Sequence, residues 1–313
     1  MRIAVFGAGG VGGYFGGRLA EAGEDVVFIA RGRHLAAIRE HGLRVSSVAG
    51  DFTIQPAAAT DLPASVAPVD LVLLGVKAWQ VGEAADAMRP LLEPETMVLP
   101  LQNGIEAPYL LAEALGEQHV LGGLCRILAF LGGPGQIRHT GVDPYIAFGE
   151  LDDHGSARIE QLRAALARAR GVTVEIPPNI QVAMWSKFLF IASLSALGSV
   201  TRVPIGEIRS QPETREMLVQ AMNEIHLIAQ RRGIPLPENI IATTLSLVDG
   251  LPPEGTTSMQ RDIIDGHPSE LDAQSGAVVR LGRQLGVEVP VHRFIYQALL
   301  PLERKARRAG GVD

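Results

Sequence analysis

Residues 2–22 read RIAVFGAGGVGGYFGGRLAEA. The apolar run Arg2 to Phe6 has the character of a short strand, and Val11 to Ala22 that of a helix. Between them, Gly7-Ala8-Gly9-Gly10-Val11-Gly12 is G-x-G-x-x-G, set directly after the strand and directly before the helix. That order is the fingerprint of a dinucleotide-binding turn. Gly7 permits the tight turn, Gly9 lets the backbone approach a pyrophosphate, and Gly12 lets helix and strand pack closely. The helix N-terminus then presents its free amides to the phosphates.

Outward from this stretch, further apolar runs follow at Val26–Ala30, Leu71–Val76 and Met97–Leu101, with helical patterns between them. Strand, helix, strand at this spacing predicts a mostly parallel sheet with helices on both faces, an α/β Rossmann-type domain. The strands are continuously apolar, as a sheet buried on both sides requires. Strand-like runs recur at Val142–Glu150 and Val172–Ile176, and Pro177-Pro178 then ends regular structure. The boundary is placed there, giving a nucleotide domain of residues 1–178. Residues 179–313 are read as all helical, with periods at 181–200, 212–232, 238–249, 270–285 and 291–308.

The composition narrows the function classes. A chain of 313 residues has room for about two domains, each able to bury a core. The formal charge of −6 argues against a nucleic-acid partner, which needs a basic face. The single cysteine, Cys125, can neither close an intrachain disulfide nor supply a zinc framework, and fits the cytoplasm. The eight histidines lack metal-ligand spacing, so no metal site is expected. Eight glycines among the first 23 residues break any signal-peptide apolar region. The uncharged run Phe188–Val200, 13 residues long, is short of a membrane span and reads as a buried helix.

Arg31 follows the second strand, 19 residues after Gly12. A carboxylate at this place would hold a ribose hydroxyl and repel a 2′-phosphate, whereas a guanidinium binds the phosphate. Arg31-Gly32-Arg33 therefore predicts NADP(H) rather than NAD(H), unless both arginines are solvated loop residues. At the carboxyl ends of later strands stand Lys77 and Asn103, either ligand-facing or, respectively, a solvated strand end and an Asn-Gly turn. Lys187 lies in the apolar segment Ala183 to Ile191, where an ammonium either snorkels outward or is held dry for proton transfer. Glu270 follows Ser269, and its plain reading is a first-turn acid behind a serine N-cap.

Together, GAGGVG, Val76-Lys77-Ala78, Leu101-Gln102-Asn103-Gly104, Trp185-Ser186-Lys187-Phe188 and Ser258-Met259…Asp262…Ser269-Glu270-Leu271-Asp272 resemble the ketopantoate reductase family, 2-dehydropantoate 2-reductase. The resemblance spans almost the whole chain. It implies a Rossmann-type domain, an all-helical domain and an active site in the cleft between them, where NADPH reduces a 2-oxo acid on the route to pantothenate. It makes Lys187 the proton donor, with Glu270 acting beside it. Lys77 and Asn103 would line the nicotinamide and substrate side, Ser258 would hold the substrate carboxylate or hydroxyl, and Arg31 would contact the 2′-phosphate.

The chain also departs from the family. Members that reduce ketopantoate carry asparagines four and eight positions after the lysine, where this chain has Ile191 and Ser195, and Val203–Gly206 has no asparagine either. A substrate site including Ile191 and Ser195 implies either ketopantoate or a 2-oxo acid more apolar at that end. Two other classes stay open: a non-catalytic NADP(H)-binding sensor, and a related dehydrogenase of a 3-hydroxy acid or an opine. A homodimer built on the helical domain is a further expectation.

Overall fold

In a computed structural model that describes residues 1–55 and 57–311, the fingerprint stretch forms β1 (Arg2–Phe6) and α1 (Gly10–Glu21). They are followed by β2 (Asp25–Ile29), α2 (Gly32–His41), β3 (Leu43–Ser47), β4 (Phe52–Ile54), β5 (Ala58–Thr60), β6 (Leu71–Leu74), α3 (Val81–Met88) and β7 (Met97–Pro100). Then come α4 (Ala107–Leu115), β8 (Leu121–Arg126), β9 (Ala129–Gly133), β10 (Gln136–His139), β11 (Tyr145–Glu150), α5 (Ala157–Ala167) and β12 (Thr173–Glu175). The central sheet has the order β5-β2-β1-β6-β7, and all its pairs are parallel.

This sheet is buried on both faces because its strands alternate two apolar sets. Ile3 and Val5 pack on one side with Phe15 and Leu19 of α1, while Ala4 and Phe6 pack on the other with Ala84, Ala85 and Met88 of α3 and Leu111 of α4. Truncating one of these side chains, Leu73→Ala for instance, would cost about 2–5 kcal/mol in transfer and cavity terms.

The nucleotide-side unit also holds two sheets that the sequence reading did not foresee, of order β4-β3-β10-β9 and β12-β11-β8. Both contain antiparallel pairs, so the unit is mixed rather than built on one parallel sheet. Strands β11 and β12 fall within the runs read at Val142–Glu150 and Val172–Ile176, but the others gave little signal: β4 has three residues, and the middle of β9 is exposed.

The chain divides into two compact units. The first comprises Met1–Gln102 and Ala107–Ala183, and the second Asn103–Glu106 and Met184–Asp313. Of the segment read as 179–313, residues 312 and 313 lie outside the described part.

The described part of the second unit contains helices and no strand: α6 (Ile180–Thr201, entered from the first unit), α7 (Ile205–Ser210), α8 (Pro212–Arg231), α9 (Ile240–Asp249), α10 (Ser258–Ile264), α11 (Ala277–Leu285) and α12 (Pro290–Gly310). Helix α8 packs against α7, α9, α11 and α12. The 22 residues of α6 exceed the 13-residue run read from sequence and suffice, by length and composition, to cross a membrane. Most of its apolar window, 61%, is buried within the protein, and residues 192–199 are buried without a break, as in a core helix packed on all sides.

The expected helix 270–285 is not uniform. Asp272–Gly276 is π-helical and only then does α11 begin, ending at Gly286 in the left-handed conformation with φ 66°. Wide turns of this kind are rare and concentrate at functional sites. α12 starts at Pro290, suited to a first helical position, and the buried Glu224 carboxylate accepts its Val291 and His292 amides at 2.7 and 3.0 Å.

Candidate functional site

The glycine loop can be explained residue by residue, with one exception. Gly7 has φ 95°, and a Cβ there would lie 2.7 Å from Val76 Cγ1 and 2.8 Å from the Val76 amide nitrogen. A Cβ on Gly12 would stand 2.1 Å from the Gly7 carbonyl oxygen, so only glycine lets α1 approach the turn this closely. Gly10 meets the hairpin strand β9, where a Cβ would be 2.3 Å from the Ala129 carbonyl oxygen. Ala8 is buried and Val11 half-buried. Gly9 is the exception: its backbone is ordinary, with φ −71°, and a Cβ would meet nothing within 4 Å.

Gly9 is also the N-cap of α1, where no side chain caps the helix and no acidic residue occupies the first turn. Uncapped first-turn amides beside an open space suit an anionic group, and a pyrophosphate fits that chemistry. His34 steadies the loop. The Gly135 amide donates to its Nδ1 at 3.0 Å, so the ring proton sits on Nε2 and is given to the Ala8 carbonyl at 2.8 Å.

Arg31 is the exposed N-cap residue of α2. Its Nη2 lies 2.7 Å from Glu83 Oε1 of α3, an acid 52 positions away that the sequence reading did not connect with it. Both side chains are more than half exposed, so the pair contributes at most about 1 kcal/mol and leaves Arg31 available to a stronger anion. Lys77 is exposed three residues beyond β6, its Nζ 5.7 Å from the Trp79 ring centroid, and its backbone amide donates to Gln80 Oε1 at 3.2 Å. Cys125 is buried, its thiol 3.8 Å from the Leu101 carbonyl, as a small apolar filler would be.

The remaining sequence candidates all belong to the second unit. Lys187, Ile191 and Ser195 are four residues apart along α6 and therefore share one face. Lys187 and Ile191 are half-buried; Ser195 is 1% exposed and its hydroxyl has no hydrogen-bond partner among the described residues. Ser258 is the first residue of α10, behind the N-cap Thr257, whose hydroxyl accepts the Gln260 amide at 3.3 Å.

Asn103, 167 positions from Glu270, donates from Nδ2 to Glu270 Oε2 at 3.1 Å. Glu270 is thus not a solvated first-turn acid: it is 6% exposed and receives a side-chain amide. Ser269 has part of its expected role, its Oγ accepting the Leu271 amide at 3.3 Å. Its own amide, however, donates to both oxygens of the buried Glu303 carboxylate at 3.1 Å, and its hydroxyl donates to the same group at 2.5 Å.

Sequence reasoning missed a second set of residues around this pair. Arg280 of α11 donates to Glu106 and to Asp272, and the Tyr296 hydroxyl donates to Asp272 Oδ1 at 2.9 Å. Burial pulls the Arg280 pKa down, but the hydrogen bonds and charges of Glu106 and Asp272 outweigh it and raise the net value. No local signal marks such a network, because Glu106 and Arg280 are 174 positions apart.

Known proteins resemble this chain over nearly its whole length. The family model described as "Ketopantoate reductase PanE/ApbA" matches residues 3–153, and the one described as "Ketopantoate reductase PanE/ApbA C terminal" matches 179–303. A 2-dehydropantoate 2-reductase of Halobacterium salinarum is 31% identical over 313 residues, covering 99% of this chain and 100% of its own. Among solved structures, a PanE/ApbA family ketopantoate reductase from Ralstonia eutropha JMP134 is 32% identical with a TM-score of 0.88, covering 98% of this chain and 100% of that one. A D-mandelate dehydrogenase, solved with NADH and anilino(oxo)acetate, also has a TM-score of 0.88, at 26% identity and with the same coverage.

Proposed function

The chain belongs to the ketopantoate reductase family, and on that premise we propose that it is an NADPH-dependent reductase of a 2-oxo acid. The observation that carries the reading is Gly9, the one fingerprint glycine whose missing side chain leaves open space beside uncapped helix amides. A nicotinamide dinucleotide supplies a hydride, and the protein supplies orientation, charge and a proton. Gly7–Gly12 and Arg31 hold the nucleotide. The Lys187 ammonium gives its proton to the carbonyl oxygen as that oxygen becomes an alkoxide, for which a positive donor out of bulk water is effective. Asn103 and Glu270 present a fixed amide and carboxylate, Ser258 offers a hydroxyl to the substrate's polar end, and Lys77 lines the nicotinamide side.

The substrate follows from α6. With Ile191 and Ser195 where ketopantoate-reducing members have asparagines, the face carrying Lys187 has lost two amides and suits a 2-oxo acid with an apolar side chain, ketopantoate being the less favoured of the two. The relative named for D-mandelate, an aromatic 2-hydroxy acid, supports an apolar class. One observation favours a second reading of the cofactor: Glu83 beside Arg31 offers a carboxylate that a ribose hydroxyl could use, which would suit NADH. With its one buried thiol the enzyme suits the cytoplasm. The test is incubation with NADPH or NADH and a panel of 2-oxo acids graded in apolar bulk, with the product identified by mass. A 2-hydroxy acid formed faster from the apolar members with NADPH is expected. Tight nucleotide binding with no product would leave a sensor instead.

A further inference from the structure

Asn103 and Glu270 meet from parts of the chain 167 positions apart, so something other than local sequence must fix their geometry. On the Glu270 side, the backbone is anchored through Ser269 on the buried carboxylate of Glu303, which Arg307 Nε also reaches at 2.7 Å. On the Asn103 side, Gly104 has φ 120°, and a Cβ there would lie 2.9 Å from the Ala273 carbonyl oxygen, so the backbone of Asn103–Glu106 rests directly on the π-helical turn.

Arg280 joins the two sides. Its Nη2 and Nε donate to Glu106 Oε2 and Oε1 at 2.6 and 3.3 Å. Its Nη1 donates to Asp272 Oδ1 at 2.9 Å, and Nη2 also reaches the Asp272 carbonyl at 3.0 Å. Glu106 is three residues from Asn103 and Asp272 two from Glu270, so one rigid guanidinium spans both halves of the pair. Gly276 makes room for it: a Cβ there would stand 2.8 Å from Asp272 Oδ1 and 3.3 Å from Arg280 Nη1.

Stability is a poor explanation for four such bonds. The Arg280 side chain is 40% exposed, and ion pairs in contact with water contribute little to stability. What the guanidinium offers here is direction, through a planar fork of donors that a lysine lacks. We propose that Arg280 is a positioning residue that, by bracing Glu106 against Asp272, fixes the Asn103 amide on the Glu270 carboxylate. The inference rests on the reading of Asn103 and Glu270 as site residues.

The test compares wild type with Arg280→Met, Arg280→Lys and Glu106→Gln, reading two quantities. The first needs no turnover: the side-chain amide resonance of Asn103 in a nitrogen-15 correlation spectrum, assigned by its loss in Asn103→Ala. It should shift in all three variants and in Glu270→Gln, while the melting temperature stays close to wild type. The second is kinetic: kcat should fall by up to about 10²-fold, as for reacting groups misplaced by an ångström. NADPH affinity should fall far less than kcat, since the glycine loop and Arg31 that hold the phosphates are untouched. Arg280→Met should add no further loss in a Glu270→Gln background. An Asn103 resonance unmoved by Arg280→Met, or a full kcat in that variant, overturns the assignment. Should no 2-oxo acid be reduced by wild type, the proposed function falls, and the resonance still decides whether Arg280 sets the pair.

Discussion

Replacing Gly9 and Gly12 separately by alanine distinguishes a glycine kept for the protein from one kept for its ligand. In Gly12→Ala the new methyl would sit 2.1 Å from the Gly7 carbonyl oxygen, where ordinary contact begins at 3.4 Å. Both partners are backbone, so α1 must withdraw from the turn by about 1 Å, at a cost of about 1–3 kcal/mol for overpacking. That displaces the amides aimed at the pyrophosphate. A misplacement of this size is worth about 10²-fold, or roughly 2.8 kcal/mol of nucleotide affinity. Gly9→Ala meets nothing within 4 Å and has an allowed φ of −71°. Its gain in unfolded-state entropy, about 0.4–1 kcal/mol, is offset by a loss of about 0.5–1 kcal/mol where alanine replaces glycine at an N-cap, so stability should barely change. Its methyl would nevertheless occupy the space into which the pyrophosphate must come, and affinity should fall by at least about tenfold, 1.4 kcal/mol. Thermal melts and calorimetric titration with NADPH read both quantities. A Gly9→Ala protein that binds NADPH like wild type would refute the assignment of this space to a dinucleotide.

Three further outcomes follow from the same geometry. His292 is fully buried, and burial lowers its pKa from 6.5 to about 4, the Ala221 carbonyl opposing this. The unfolded chain therefore takes up a proton below 6.5 that the folded one refuses until near 4, and stability is lost as pH falls through that window. Between about pH 7.5 and 4.5 the loss from this one group is roughly 2–3 kcal/mol, and denaturant titrations should show it shrinking by that amount in His292→Gln; equal losses in the two proteins would contradict the assignment. Arg31→Ala should weaken NADPH by at least about tenfold, as for a lost charge-assisted pair, and leave NADH within about twofold; equal weakening of both would favour the NADH reading. Glu150 is held below the usual carboxylate range because hydrogen bonds from Arg158 and Ser156 overcome its burial, so Arg158→Met should restore a more ordinary value by carbon-13 titration and reduce the stability lost in acid, which depends on that lowered value.

Legibility in the sequence tracked how local the cause was. The central sheet, the glycine loop and the helical second part could be read because β1, Gly7–Gly12 and the helices announce themselves over five to twenty consecutive residues. The β9–β10 hairpin could not: exposed Phe130 and Leu131 gave no alternation, and only the packing of Ala129 on Gly10 explains that glycine. At the second unit's candidate site, Glu270 was visible as a residue while its environment was not. The plain account of a serine cap and a first-turn acid was locally sound, and it failed because Asn103 and Glu303 arrive from distant sequence. Arg31 shows the same limit from the other side, since its neighbour Glu83 belongs to a different helix. Polar partners separated by 52 or 167 positions are set by tertiary packing, which no periodicity encodes.

Reduction of a 2-oxo acid with Lys187 as proton donor is decided by the initial rate of NADPH oxidation in wild type and Lys187→Ala, followed at the nicotinamide absorbance with an apolar 2-oxo acid. Turnover is expected in wild type, with a loss of about 10²–10⁴-fold in kcat for the variant and unchanged NADPH affinity. Equal rates in the two proteins, or no oxidation by wild type with any 2-oxo acid, would contradict it.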